Sequence, residues 1–555
     1  MDRKLLFIGL DGTTFDLLDP LMRDIGLPNL EGIIKRGARA SLETTIPPIT
    51  PTAWVSLVTG KNPGKHGILE FLLRRGDSMH DLPVNQALRD SPAIWDILSK
   101  LGKHVIVTNM PVTYPPTPVN GLMISDFLTP RGRRDFAYPP ELLQEIESRF
   151  GPYRLYITEV YAPGNIDKVL DQLFDELEYK TRVTEYLMQQ YPWDFFATHI
   201  WSTDRCQHEL WHIWDETHPL SNRRETERHH GRVMEFWKAV DAAVGRMVSQ
   251  AGKDTLIMMA SDHGFGPIHK FLCFNIWLLQ EGLLVLKQSA LTQLKRLLFQ
   301  LGLTPELGYR VSMRLGLAKI RLAAGVTNRS QLFKLIHKLM LSLEDVDWSR
   351  TLAYSKGNYG QIFINLKGRE PHGAVSPGAE YERVCRLVIE KLEKLTDPDT
   401  GEKIIGPLWR REDLYDGPHV EMAPDITFLP ADMRYKPMGT LDLTSNRFIT
   451  NVYGNSGDHR MNGLYIAAGP DIKPGTRLNR ARIIDVAPSM LYLLGQAIPV
   501  DMDGEVLTEM ISEEYLRANP ICASESLPTD RDLDVVFSEE DNDEVRERLK
   551  SLGYL

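Results

Sequence analysis

Short apolar runs alternate with longer helical patterns through the first 280 residues, the arrangement expected of strands crossed over by helices. KLLFIGL, residues 4–10, reads as a strand, and so do HVIVTNM from His104, WDFFATHI from Trp193 and DTLIMMAS from Asp254. Each run is about as long as a buried strand and closes on polar residues. Ligands of open parallel sheets collect beyond the carboxyl ends of the strands, so those polar closures are where chemistry is expected. The spacing predicts an α/β fold: a three-layer α/β/α sandwich around a central, mostly parallel sheet.

Residues 283–345 differ in kind. LTQLKRLLFQLGL and SQLFKLIHKLML carry apolar residues at helical spacing, and between Lys287 and Lys338 there are ten Lys or Arg against one acid, Glu306. This predicts a basic helical insertion. Its cations form either the solvated face of a packed helix or a surface that draws an anionic substrate, partner or membrane, and its position suits a lid.

After Thr351 the strand pattern resumes in GQIFINL from Gly360, DITFLP from Asp425 and GLYIAAG from Gly463, so the sheet is expected to be interrupted and then completed. Residues 483–495 form an amphipathic helix ended by Gly495. From about Asn519 the composition turns polar and acidic, which predicts a linker and a loosely packed tail before a last helical stretch. The expected division is a discontinuous α/β domain (1–282 and 346–515), the insertion (283–345) and an acidic linker and tail (516–555).

Composition changes this picture little. Hydrophobic residues at 43% and charged residues at 25% are ordinary for a globular chain with a large core. A net charge of -10 argues against bulk attraction to nucleic acid. Cys206, Cys273, Cys385 and Cys522 lack paired spacing, so neither a disulfide framework nor a thiolate zinc site is expected, and a cytoplasmic setting fits. No run reaches transmembrane length.

Four strand ends carry metal-binding side chains. Asp11 stops the first strand; Asp204 and His208 stand one helical turn apart in STDRCQH; Asp262 and His263 are adjacent in ASDHGFG; His459 sits in the glycine-bracketed NSGDHRMNG. Each fragment alone is as well explained by solvation or packing. Together they supply the carboxylate and imidazole mixture that suits zinc or manganese better than calcium. His229 and His230 read as a solvated helix face, and His212 and His218 as packing or loop residues.

A nucleophile is offered by TTIPPITPTAWVSLVTGKNPGKHGI, residues 44–68. Its prolines hold an extended entry to a helix, and Thr50 stands at the junction, where helix amides favour an anion. A threonine there also serves as a plain helix cap, and Thr45 and Thr52 are rivals.

In this order GLDG, TPTAWVSLVTGKNPGKHGI, TDRCQH, SDHG and GDHRMNG resemble the alkaline phosphatase superfamily, in its type I phosphodiesterase and nucleotide pyrophosphatase branch. The resemblance implies two divalent ions, usually zinc. Asp11, Thr50, Asp262 and His263 match the ligands of one ion, and Asp204, His208 and His459 those of the other. It makes Thr50 the nucleophile and a small phosphate ester the substrate, with a diester or pyrophosphate expected. Monoester, phosphonate or sulfate ester hydrolysis are the sibling reactions, and a non-catalytic metal-binding regulator is the alternative class. Threonine argues against mutases, which use serine, and sulfatases, which use a modified cysteine or serine. The pattern departs at Phe71, where the nucleotide pyrophosphatases carry a phosphate-contacting asparagine. Nor is there a clear counterpart of the arginine and third metal site of the monoesterases.

Overall fold

β1 (Lys4–Leu10) is apolar along nearly its whole length because both of its faces are covered. Leu6, Ile8 and Leu10 point into one hydrophobic layer, and Leu5 and Phe7 into the other. The computed structural model describes residues 3–74, 81–314, 340–439, 443, 445–529 and 537–554. The further strands of the large sheet are β2 (Gly37–Glu43), β3 (Val105–Thr108), β4 (Gly121–Ile124), β5 (Ala137–Tyr138), β6 (Phe195–Ile200), β7 (Thr255–Ala260), β8 (Asn462–Ala468) and β9 (Thr476–Arg477). They form a nine-stranded sheet in the order β9-β2-β8-β7-β1-β6-β3-β4-β5. The centre is parallel, β1 pairing with β6 and β7, while β8 runs antiparallel between β2 and β7.

Helices cover both faces. α1 (Thr50–Thr59) and α5 (Val486–Leu493) pack on the side of Leu5 and Phe7. α2 (Ile166–Gln190), α3 (Ser202–Trp214) and α4 (Arg223–Ala251) pack on the other. α1 is buried at every position, the hydroxyls of Thr50, Thr52, Ser56 and Thr59 included. Gly60, at φ 66°, stops it in the left-handed conformation that a side chain resists. The Asn222 carboxamide oxygen caps α4 by accepting from the amides of Arg224 and Glu225. The three-layer α/β/α architecture is therefore the one expected.

The completion of the sheet differs from expectation. Of the three runs expected to complete it, only β8 returns to it. Gln361–Ile364 and Ile426–Pro430 join Ala353–Ser355 and Ile405–Arg410 in a separate four-stranded antiparallel sheet. This sheet has its own core, including Phe274, Ile362, Ile364, Val384 and Phe428. The excursion runs from Lys270 to Asn451, which pair with each other at its base, and is wider than the 283–345 insertion. Strand-like sequence alone does not say which sheet will pair with it.

Within that insertion, Ala290–Gln300 is a helix capped by Ser289. Phe299 anchors it in the smaller core, and Lys295, counted above as a cation for anions, is buried in an ion pair with Asp345 at 2.9 Å. Leu291, Leu294 and Leu297 lie on its exposed side. Most of the SQLFKLIHKLML pattern, and Lys319, Arg321, Arg329, Lys334 and Lys338, fall outside the described residues.

The tail also departs from a loose linker. Residues 530–536 are outside the described residues, but SEEDNDE opens α6 (Glu539–Leu552). Ser538 and Asp541 form a capping box, and Glu539, Glu540 and Asp541 occupy the first turn, where the helix dipole favours acids. Val545, Leu549 and Leu552 are buried in the main core. His229, expected to be solvated, is buried beside Asp167. Among the described residues no helix is long and apolar enough to cross a membrane.

Candidate active site

β1, β6 and β7 lie side by side and deliver the site residues at their carboxyl edge. Asp11 follows β1, Asp204 and His208 lie on α3 immediately after β6, and Asp262 and His263 follow β7. Strand Gly264–Pro267 pairs with Gly457–Arg460, opposing Phe265 to His459, and so carries His459 in from the far end of the chain. All of these side chains, with Thr50, are buried.

Two glycines in GLDG make room for this. A Cβ on Gly9 would lie 2.6 Å from the Trp54 ring, and Gly12, at φ 66°, would meet Phe265 at 2.8 Å. The turn at Gly12 also aims its amide at Asp262 Oδ1, 3.3 Å away.

The histidines share one orientation. Nδ1 of His208 lies 2.8 Å from the Gly457 carbonyl, Nδ1 of His263 lies 3.0 Å from that of Gly264, and Nδ1 of His459 lies 2.8 Å from that of Pro48. With each Nδ1 set against a carbonyl, the rings turn their Nε2 atoms inward. His208 Nε2 and His459 Nε2 are 3.1 Å apart, and Asp204 Oδ1 lies 3.3 Å from the first and 3.5 Å from the second. The one-turn spacing of Asp204 and His208 thus places both on one point.

Beside this group, His263 Nε2 lies 3.1 Å from Asp262 Oδ2, 3.7 Å from Asp11 Oδ1 and 3.3 Å from Thr50 Oγ1. The His263 and His459 rings stack at 3.5 Å, joining the two groups. Of the rival hydroxyls, Thr45 donates to the Pro47 carbonyl and Thr52 is buried without a partner; Thr50 is the one among the converging acceptors.

One oxygen of each carboxylate has no hydrogen-bond partner: Asp11 Oδ1, Asp204 Oδ1 and Asp262 Oδ2. Buried acceptors left unpaired are costly. Three such oxygens beside three imidazole lone pairs are donors suited to divalent cations. Asp11, Asp262 and His263 have ligand atoms within 4.8 Å of one another, as do Asp204, His263 and His459. His208, Asp458 and His459 meet the same distance, but Asp458 is engaged by Lys436 at 3.0 Å and by the Tyr359 hydroxyl at 3.1 Å. Despite burial, Lys436 and the neighbouring imidazoles hold the Asp458 carboxyl below the usual range.

The electrostatics agree. Burial raises the Asp11 and Asp262 carboxyls above the ordinary value, Asp262 further because Asp11 and Asp204 are near. Burial and His459 push His263 well down. Burial works to raise Asp204 too, but His208 and His459 outweigh it and hold that carboxyl well below its usual value. A cation held there would offset both the burial and the carboxylate crowding that raise Asp262.

Several residues in contact with this set were not legible as such. Asp11 Oδ2 faces His199 Nε2 at 2.7 Å and accepts from Trp54 Nε1 at 3.2 Å. The Tyr359 hydroxyl lies 2.9 Å from His459 Nδ1. Tyr554 donates to Asp204 Oδ2. His199 ends a predicted strand and Trp54 lies in a quoted motif, which were the available signals; Tyr359 and Tyr554 had none. Phe71 is buried and stacks on Tyr554 at 4.9 Å.

The mostly parallel sheet, covered on both faces and bearing acids and imidazoles at its carboxyl edge, defines an alkaline phosphatase-like hydrolase fold. The chain belongs to the family described as Type I phosphodiesterase / nucleotide pyrophosphatase, whose model matches residues 5–461. That family consists of phosphoester hydrolases. Among solved structures, phosphonoacetate hydrolase from Sinorhizobium meliloti 1021 is similar in fold, with a TM-score of 0.53 and 13% identity, covering 89% of this chain and 95% of that one. Murine ectonucleotide pyrophosphatase / phosphodiesterase 5 matches with a TM-score of 0.48 and 11% identity, covering 92% of this chain and 100% of that one. No curated protein matches the sequence.

Proposed function

We propose that this chain hydrolyses phosphodiesters or pyrophosphates through a covalent intermediate on Thr50, in a centre of two divalent cations. The observation that carries the reading is the convergence of Asp11, Asp204, Asp262, His208, His263 and His459 beside the Thr50 hydroxyl, with three carboxylate oxygens lacking partners. Asp11, Thr50, Asp262 and His263 would hold one cation, and Asp204, His208 and His459 the other. The donor set favours zinc and also admits manganese. Bound there, the cations supply charge neutralisation and lower the proton affinity of a hydroxyl that is otherwise a weak nucleophile.

The chain's own residues set the geometry. Thr50 is the first residue of α1, where the positive end of the helix dipole favours a phosphoryl anion. The Gly264 carbonyl fixes the tautomer of the His263 ring, so that its Nε2 and the Thr50 hydroxyl, 3.3 Å apart, would face the same cation. Thr50 Oγ1 gives up its proton to solvent and bonds to phosphorus as the ester oxygen leaves. Water then displaces Thr50 from phosphorus and restores its hydroxyl. Phe71 offers no hydrogen bond to phosphate, so recognition of a nucleotide through the family's asparagine does not operate here. Free thiols at Cys206, Cys273, Cys385 and Cys522 support a reducing, cytoplasmic setting.

The test compares the full chain, loaded with zinc or manganese, on a bis-aryl phosphate, a nucleoside pyrophosphate, a mono-aryl phosphate and a phosphonate ester. Faster turnover of the first or second is expected, and Thr50→Ala should abolish it while keeping the bound metal. Full activity in Thr50→Ala removes the nucleophile assignment. Metal binding without turnover of any ester favours the non-catalytic regulator.

A further inference from the structure

We propose that Tyr554, carried in by the C-terminal helix, is a positioning residue of the active site that holds Asp204 by the oxygen turned away from the candidate cation site. This inference rests on the two-cation reading above.

Tyr554 is 3% exposed. Its hydroxyl donates to Asp204 Oδ2 and accepts from Trp201 Nε1 at 3.0 Å. The carboxylate is thereby divided: Oδ2 is engaged by the phenol, and Oδ1, without a hydrogen bond, faces His208 Nε2 and His459 Nε2. A ligand with two equivalent oxygens can rotate between them. A donor fixed on one oxygen decides which the other side receives, and such partners of metal ligands are worth about 10–100-fold in metal affinity or activity.

The ring is held as firmly as the hydroxyl. It stacks on Phe71 at 4.9 Å and 28°, and meets the His208 ring edge-on at 5.4 Å. Its backbone is docked by side chains from three separate parts of the chain. Leu552 O accepts from Arg205 Nη1 at 2.8 Å and from Asn455 Nδ2 at 3.2 Å, and Tyr554 O accepts from Asn358 Nδ2 at 3.2 Å. Arg205 directly follows Asp204, so one turn of α3 presents the ligand to the phenol and a donor to the chain that brings the phenol. Gly553, at φ 84°, makes the sharp exit from α6, and a Cβ there would lie 2.0 Å from Asn455 Nδ2. Phe71 also acquires a role: where the family resemblance places an asparagine, this chain has the apolar face on which Tyr554 rests. The tail lies beyond the family match, which ends at residue 461.

The experiment measures zinc affinity of the full chain by chelator competition, for wild type, Tyr554→Phe and Gly553→Ala, with the visible spectrum of the cobalt-substituted proteins and a thermal melt for each. Wild type is expected to bind two equivalents. Tyr554→Phe, folded as judged by its melt, should bind one of the two about 10–100-fold more weakly, with a changed cobalt spectrum, while the other equivalent keeps its affinity. A role confined to packing would weaken both equivalents together or neither. Gly553→Ala retains the phenol but displaces the turn, and should weaken the same equivalent; it carries the test should Tyr554→Phe lack a cooperative melt. Two equivalents at wild-type affinity and an unchanged cobalt spectrum in a folded variant overturn the proposal. Wild type binding neither zinc nor cobalt overturns the two-cation reading instead.

Discussion

Replacing His459 by alanine tests whether the two groups are separate cation sites. His459 Nε2 lies 3.1 Å from His208 Nε2 and 3.5 Å from Asp204 Oδ1. The substitution therefore removes one of three side-chain donors from that group, while Asp11, Asp262 and His263 remain as the donors of the other, His263 losing the ring stacked on it. Structural zinc held by four donors is worth about 10–16 kcal/mol, so each donor carries about 3 kcal/mol, or roughly 10²-fold in affinity. A site expected to hold zinc through desalting should then lose it. Metal content measured after gel filtration should fall from two equivalents to one, and phosphodiester turnover should fall by at least about 10²-fold with partial recovery in excess zinc. The loss of the Pro48 hydrogen bond costs about 1 kcal/mol of stability, which a thermal melt resolves. Retention of two equivalents at wild-type affinity would refute the assignment of His459 and, with it, the division of donors between the groups.

His199→Ala leaves Trp54 as the remaining hydrogen-bond partner of Asp11 Oδ2; it should weaken the other equivalent about 10-fold, and equal affinity in chelator competition would show that Asp11 needs no such support. The pH dependence of stability should carry the signature of Asp126, buried with one oxygen unpartnered, whose carboxyl burial pushes up to about 7 against the pull of the Val112 amide. Because this folded value lies above the ordinary 3.8, the associated stability is complete below pH ~4 and is lost as pH rises through ~7, amounting to about 4 kcal/mol at most. Asp126→Asn should flatten that slope and raise the melting temperature at pH 8 relative to wild type; parallel pH profiles would count against it.

Local pattern was enough to identify what is local. The apolar runs at residues 4–10, 193–200 and 254–261 lie on adjacent parallel strands, because a strand covered on both faces must be apolar throughout. The Asp204–His208 spacing likewise fixed a shared direction, since four residues make one turn of α3. Pairing is not local. Gln361–Ile364 and Ile426–Pro430 have the same strand-like composition as β8, yet the three divide between two sheets, since Gln361–Ile364 pairs with the neighbouring Ala353–Ser355 whereas β8 pairs with β2 and β7 from far earlier in the chain. The acidic run at 538–544 has the composition of a linker, and becomes the first turn of a packed helix only where Val545, Leu549 and Leu552 find a core to bury in. His199, Trp54 and Tyr554 belong to this second category. A lone hydrogen-bonding side chain leaves no periodic trace in sequence, and its role exists only after folding has brought a carboxylate oxygen within reach of it.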